Sequence, residues 1–143
     1  MFMSTYSPRL DEKGRLILPA KFRDRLADGL VMTKGQEHCI YVYPVEVFTD
    51  IAARMQSVPT TSKKVRDFGR MLLAGAAEEV PDRQGRITIP LPLREYAGID
   101  RELAVVGAGN RVEVWDAVAW ARYLEATEAG YADTAEEVYP GVF

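Results

Sequence analysis

Two short stretches of the 143-residue chain combine residue types that could recognise an anion: Asp11-Glu12-Lys13-Gly14-Arg15 and Asp82-Arg83-Gln84-Gly85-Arg86. In each, a carboxylate precedes an arginine by four residues, with a glycine between them that suits a tight turn. A planar guanidinium can meet a phosphate or the edge of a guanine through its fork of N–H donors. That chemistry is recognition, without bond making. The carboxylate would repel phosphate, so its expected part is to orient the arginine and to accept N–H groups of the turn. A purely internal Asp11–Arg15 pair that buttresses the turn is the plainer alternative. The candidate DNA contacts are Arg15, Arg86, Lys13, Arg83, Lys21 and Arg23, supported by Asp11, Gly14, Asp82 and Gly85. For Arg23 and Arg94 helix-surface solubility competes with contact, and the run Lys63, Lys64, Arg66, Arg70 reads as a solvated helix start.

Bond-making chemistry finds few candidates. His38 is the single histidine and adjoins Cys39, the single cysteine. Adjacent residues of an extended segment point to opposite faces, which defeats a nucleophile–base pair. Glu78, Glu79 and Asp82 read as a solvated turn, because nothing apolar is placed to raise one carboxyl pKa. No cluster has metal-ligand spacing, and no glycine-rich stretch between strand and helix forms a phosphate loop. One cysteine excludes an internal disulfide and a Cys-based zinc cage. The expectation is a protein that is not an enzyme, with no cofactor, metal or small-molecule substrate, in a reduced cytoplasmic setting. Neither a secretory signal nor a membrane-length apolar run is visible.

The elements that would position the motifs occur twice. Residues 11–23 laid over 82–94 match Asp, Gly, Arg, Pro and Arg at five of thirteen places, at an offset of 71. After a one-residue slip, Ile40–Tyr43 lies over Val112–Trp115, and Phe48 over Trp120. Each unit predicts a turn, then a short alternating strand (Arg15–Leu18, Arg86–Ile89), then a helix begun at Pro19 or Pro90. Two more strands follow in each, near Leu30–Thr33 with Cys39–Tyr43 and near Leu103–Val106 with Arg111–Trp115. Longer helices start near Pro44 and near Asp116, an N-cap candidate. Between the units, Ser57–Lys64 reads as a link and Arg66–Ala77 as a helix, with Phe68, Met71 and Leu72 at helical spacing.

A unit of about 45 residues is near the lower limit for folding alone. Two of them pairing into one small pseudo-symmetric barrel would remove exposed strand edges. The expected class is therefore α+β with a mostly β core, flanked by helices. Its boundaries are a module over 5–47, a helical connector over 48–77, a second module over 78–121, and a helical, acidic tail over 122–143. The tail keeps Tyr131, Val138, Tyr139 and Phe143 and is expected either to move freely or to dock on a neighbour.

Charge divides along the chain. Residues 1–70 hold 12 Lys/Arg against 8 Asp/Glu, and residues 71–143 hold 6 against 13, leaving a net charge of -3. The total argues weakly against nucleic acid, but placement matters more, since screening at physiological salt acts within about 8 Å. With 48% apolar and 27% charged residues, the chain has the composition of an ordinary folder.

The doubled Asp-x-x-Gly-Arg motif, each copy running into an apolar strand and a proline, resembles the paired AbrB-type (swapped-hairpin) modules of the MraZ family. So does Met71-Leu-Leu-Ala-Gly-Ala-Ala-Glu-Glu-Val80 before the second motif. The likeness spans Phe2 to Asp116. It implies two swapped-hairpin repeats and a nucleoid-associated regulator that binds short G-rich repeats in double-stranded DNA upstream of its own operon, in a division and cell-wall gene cluster. It implies a ring of several copies, with Arg15 and Arg86 as the leading DNA contacts. The second motif is less basic, with Gln84 where the first has Lys13 and Leu91-Pro92 where it has Ala20-Lys21. A ring-forming protein-interaction scaffold is the rival class, and a small AbrB-type antitoxin is disfavoured by the duplication.

Overall fold

The computed structural model describes residues 1–142, and of 135–137 the backbone alone; Phe143, counted above with the tail aromatics, lies outside them. In chain order the elements are β1 (Thr5–Tyr6), β2 (Arg15–Ile17), α1 (Ala20–Leu26), β3 (Leu30–Lys34), β4 (Ile40–Pro44), α2 (Val45–Gln56) and α3 (Lys63–Ala74). Then come β5 (Ala77–Glu79), β6 (Arg86–Thr88), α4 (Leu91–Tyr96), β7 (Leu103–Gly107), β8 (Val112–Asp116) and α5 (Ala117–Val138). The series β2-α1-β3-β4-α2 recurs as β6-α4-β7-β8-α5, so the duplication read in the sequence is a duplication of structure.

The two units interlock. Six strands form one antiparallel sheet in the order β1-β7-β8-β4-β3-β5, and β2 pairs with β6 in a separate two-stranded ribbon. In the ribbon Leu16 lies opposite Ile87, its own counterpart in the repeat. In the sheet Tyr41 lies opposite Glu113, again its counterpart. A pseudo-two-fold axis therefore passes through both pairs.

Three layers result. The ribbon, α1 and α4 cover one sheet face, and the main core between them includes Leu16, Leu18, Phe22, Ile87, Ile89 and Leu93 against Met32, Val42, Val105 and Val114. Helices α2 and α5 cover the other face, with Phe48 and Trp120 packed on Tyr41, Tyr43 and Trp115. On that side Arg111 lies 4.2 Å from the Tyr41 ring centroid, and its Nε donates to Glu113 at 2.9 Å. Trp115 Nε1 donates to the other Glu113 oxygen, so a half-buried charge pair is fully partnered. The amino terminus is drawn in: Phe2 is buried, edge-on to Phe22 at 5.3 Å, and bridges to Gly109.

Several expectations change. The sheet does not close into a barrel: β1 and β5 remain as edges, because the two motif strands pair with each other outside it. The helix expected over 66–77 runs instead from Lys63 to Ala74, with Gly75 as its C-cap. Residues 77–79 leave the helix to pair with β3, Ala77 opposite Met32. The link loses Lys63 and Lys64 to α3, and the tail continues α5 as helix through Val138. Asp116 acts as foreseen, its carboxylate accepting the Ala119 N–H at 3.2 Å. Among the described residues no helix is long and apolar enough to cross a membrane.

Candidate nucleic-acid interface

The motif turns are built identically. Asp11 Oδ1 accepts the backbone N–H groups of Lys13 and Arg15 at 2.9 and 2.8 Å, and Oδ2 accepts Arg15 Nε at 2.7 Å. Asp82 does the same for Gln84 and Arg86 at 2.9 Å each, and for Arg86 Nε at 2.7 Å. Gly14 and Gly85 close the turns at φ of 75° and 76°, a region open to glycine at little cost. The Arg15 backbone N–H is the first cause holding the Asp11 carboxyl below its usual range; the Arg86 N–H acts likewise on Asp82. Each turn engages one of the five N–H donors of its guanidinium.

Pairing of β2 with β6 sets Arg15 opposite Thr88 and Ile17 opposite Arg86. Alternation puts Leu16 and Ile87 into the core, so Arg15, Ile17, Arg86 and Thr88 share the outer face. The arginines thus stand at diagonal corners of one small ribbon. Ile17 is 50% exposed between them. Lys13, Arg83 and Gln84 occupy the exposed turn tips, and Lys21 the exposed start of α1.

The two units also brace each other. Arg23 Nε donates to the Leu18 carbonyl at 2.9 Å, and its guanidinium lies over Gly85, where a Cβ would come within 2.6 Å of Nε. Arg94 Nε donates to the Ile89 carbonyl at 3.0 Å and covers Gly14 in the same way. Leu18 N–H donates to Gly85 O, and Ile89 N–H to Gly14 O. Each unit therefore holds the turn of the other. Arg23, a sequence candidate for contact, is half-buried and serves this bracing.

Sequence reasoning missed Arg94 as a brace, Ile17 and Thr88 as members of the outer face, and Glu79. The Glu79 carboxylate accepts the Thr88 N–H at 3.0 Å from both oxygens, and burial raises its pKa. Alternation along β2 and β6 held the signal for Ile17 and Thr88; nothing local marked Arg94 or Glu79.

His38 and Cys39 do not combine. His38 Nδ1 lies 3.2 Å from the Tyr96 carbonyl oxygen on an exposed turn. The Cys39 thiol is buried, donates toward Gln36 O, and has its pKa pushed up by desolvation. No group of three or more metal-ligating side chains occurs among the described residues.

The family described as "MraZ protein, putative antitoxin-like" matches residues 1–71 and again 72–139. The chain belongs to the MraZ family. The break between the matched segments falls within α3, so the duplication is a property of the MraZ pattern too. Among similar proteins, the transcriptional regulator MraZ of Kocuria rhizophila is 60% identical over 143 residues, all of both chains. That of Clavibacter michiganensis subsp. michiganensis is 61% identical over the same span. The Frankia casuarinae MraZ regulator is 56% identical over 142 residues, 99% of each chain.

Proposed function

We propose that this chain is a DNA-binding transcriptional regulator that reads short G-rich repeats upstream of its own operon, in a division and cell-wall gene cluster. The observation that supports it most is the β2–β6 ribbon, whose outer face carries two turn-anchored arginines. A two-stranded ribbon fits the major groove, and arginine is the usual partner of the guanine O6 and N7 acceptors. Arg15 and Arg86 read guanines, Lys13, Arg83 and Lys21 contact phosphate, and Ile17 offers an apolar surface to base edges. The regulator works in the cytoplasm on the nucleoid and needs no cofactor or catalysed step. Its copies assemble into a ring, so that successive ribbons engage successive repeats and weak contacts sum by avidity. The relatives named transcriptional regulator MraZ support the DNA reading.

Fluorescence anisotropy on the upstream duplex and on a scrambled duplex tests it. Arg15→Ala and Arg86→Ala should each weaken binding about 10- to 100-fold, as expected for loss of about 1–3 kcal/mol of base contact, with unchanged circular dichroism. Log affinity should also fall linearly with log salt. Equal, weak binding to both duplexes, indifferent to either substitution, would favour the scaffold class instead.

A further inference from the structure

Helix α5 extends beyond the surface that receives it. Its start packs Trp120 and Tyr123 on Trp115, with ring centroids at 5.1 and 4.9 Å. At 3.6 residues per turn the same face continues through Thr127, Tyr131, Thr134 and Val138. Tyr131 is 74% exposed and Val138 62%. The sixteen residues from Tyr123 to Val138 make an arm about 24 Å long. From Leu124 onward the sequence has five acidic residues and no Lys or Arg.

A groove of complementary character lies between α2 and α3. It encloses about 620 Å³ and is lined by Met55, Val58, Val65, Phe68, Gly69 and Leu73. Phe68 is 51% exposed, and Lys64, Arg66 and Arg70 also line it. A Cβ at Gly69 would meet only the Met55 methyl, at 3.9 Å, so the floor is open. Among the described residues, none of α5 lines the groove of its own chain.

We propose that the acidic arm of α5 in one copy seats its Thr127–Val138 face in the α2–α3 groove of a second copy. Apolar side chains of the arm cover Phe68 and Leu73, while its carboxylates meet the basic lining. The contact joins unlike surfaces, so a joined pair still has one free groove at one end and one free arm at the other, and assembly runs head to tail until it closes. The inference rests on the self-assembly reading above and names the surfaces that perform it.

Light scattering on the full chain and two variants tests it. Gly69→Leu fills the groove while removing a glycine from a helix interior, which favours the helix. Tyr131→Glu places a charge on the apolar stripe of the arm. The wild type should be a multimer, and each variant alone a monomer with wild-type circular dichroism. Mixed one to one, the variants should form a two-chain species and stop there, because one intact arm meets one intact groove. Variants that keep the wild-type mass would overturn this interface and leave ring assembly standing on some other surface. A mixture that stays monomeric would overturn it as well. A monomeric wild type would overturn both the interface and the self-assembly reading.

Discussion

Asp11 gives one oxygen to the backbone of its turn and the other to Arg15, and Asp82 repeats the division for Arg86. The same ionised carboxylate therefore shapes the turn and aims the guanidinium. Both carboxyls are held below their ordinary pKa in the folded protein. Groups of this sign add stability at pH above the unfolded value, and that stability is lost as pH falls through the folded value. Glu79, raised by burial, acts with the opposite sign. Urea titrations from pH 7 to pH 3 should show the wild type losing more stability than an Asp11→Asn/Asp82→Asn double variant; parallel profiles would contradict the assigned role. The motif residues were legible in the sequence because turn chemistry is local: carboxylate, glycine and arginine act within five positions. What Arg23 and Arg94 do was not legible, since each reaches a turn contributed by the other unit.

Between elements, close approach decides the tolerance to change. Gly107 in β7 meets the incoming amino-terminal segment so tightly that a Cβ would fall 2.3 Å from the Met3 backbone nitrogen. Backbone cannot swing aside as a side-chain end can. Gly107→Ala should push β1 off the sheet edge and loosen Phe2 from the core, costing about 2–3 kcal/mol, read as a lower urea midpoint with faster amide exchange at Phe2 and Val106. An unchanged midpoint would show that the segment repositions freely. Most elements were readable from alternation and from proline and glycine punctuation. The end of α3 was not: Ala76 and Ala77 suit a helix as well as a strand, and only pairing with β3 draws Ala77–Glu79 into the sheet. The expected barrel failed for a related reason. The sequence marks strands but not their partners, and here the motif strands chose each other.

For the molecule as a whole, neither unit owns a complete core. Leu16 and Leu18 are covered from the side of Ile87 and Ile89, and β4 needs β8. Residues 1–71, expressed alone, should lack a cooperative unfolding transition as a monomer in circular dichroism; a two-state monomer would show that the interlock is dispensable. The same pairing has a consequence in time. Arg15 finds its strand partner in Thr88, 73 positions later. At about 5–20 residues per second, synthesis separates the two by about 4–15 s. During that interval the first motif has left the ribosome with its apolar edge unmatched and its arginine not yet part of the ribbon's outer face. A nascent chain interrupted before Ile89 has no partner strand of its own, though another nascent chain on the same message would offer one.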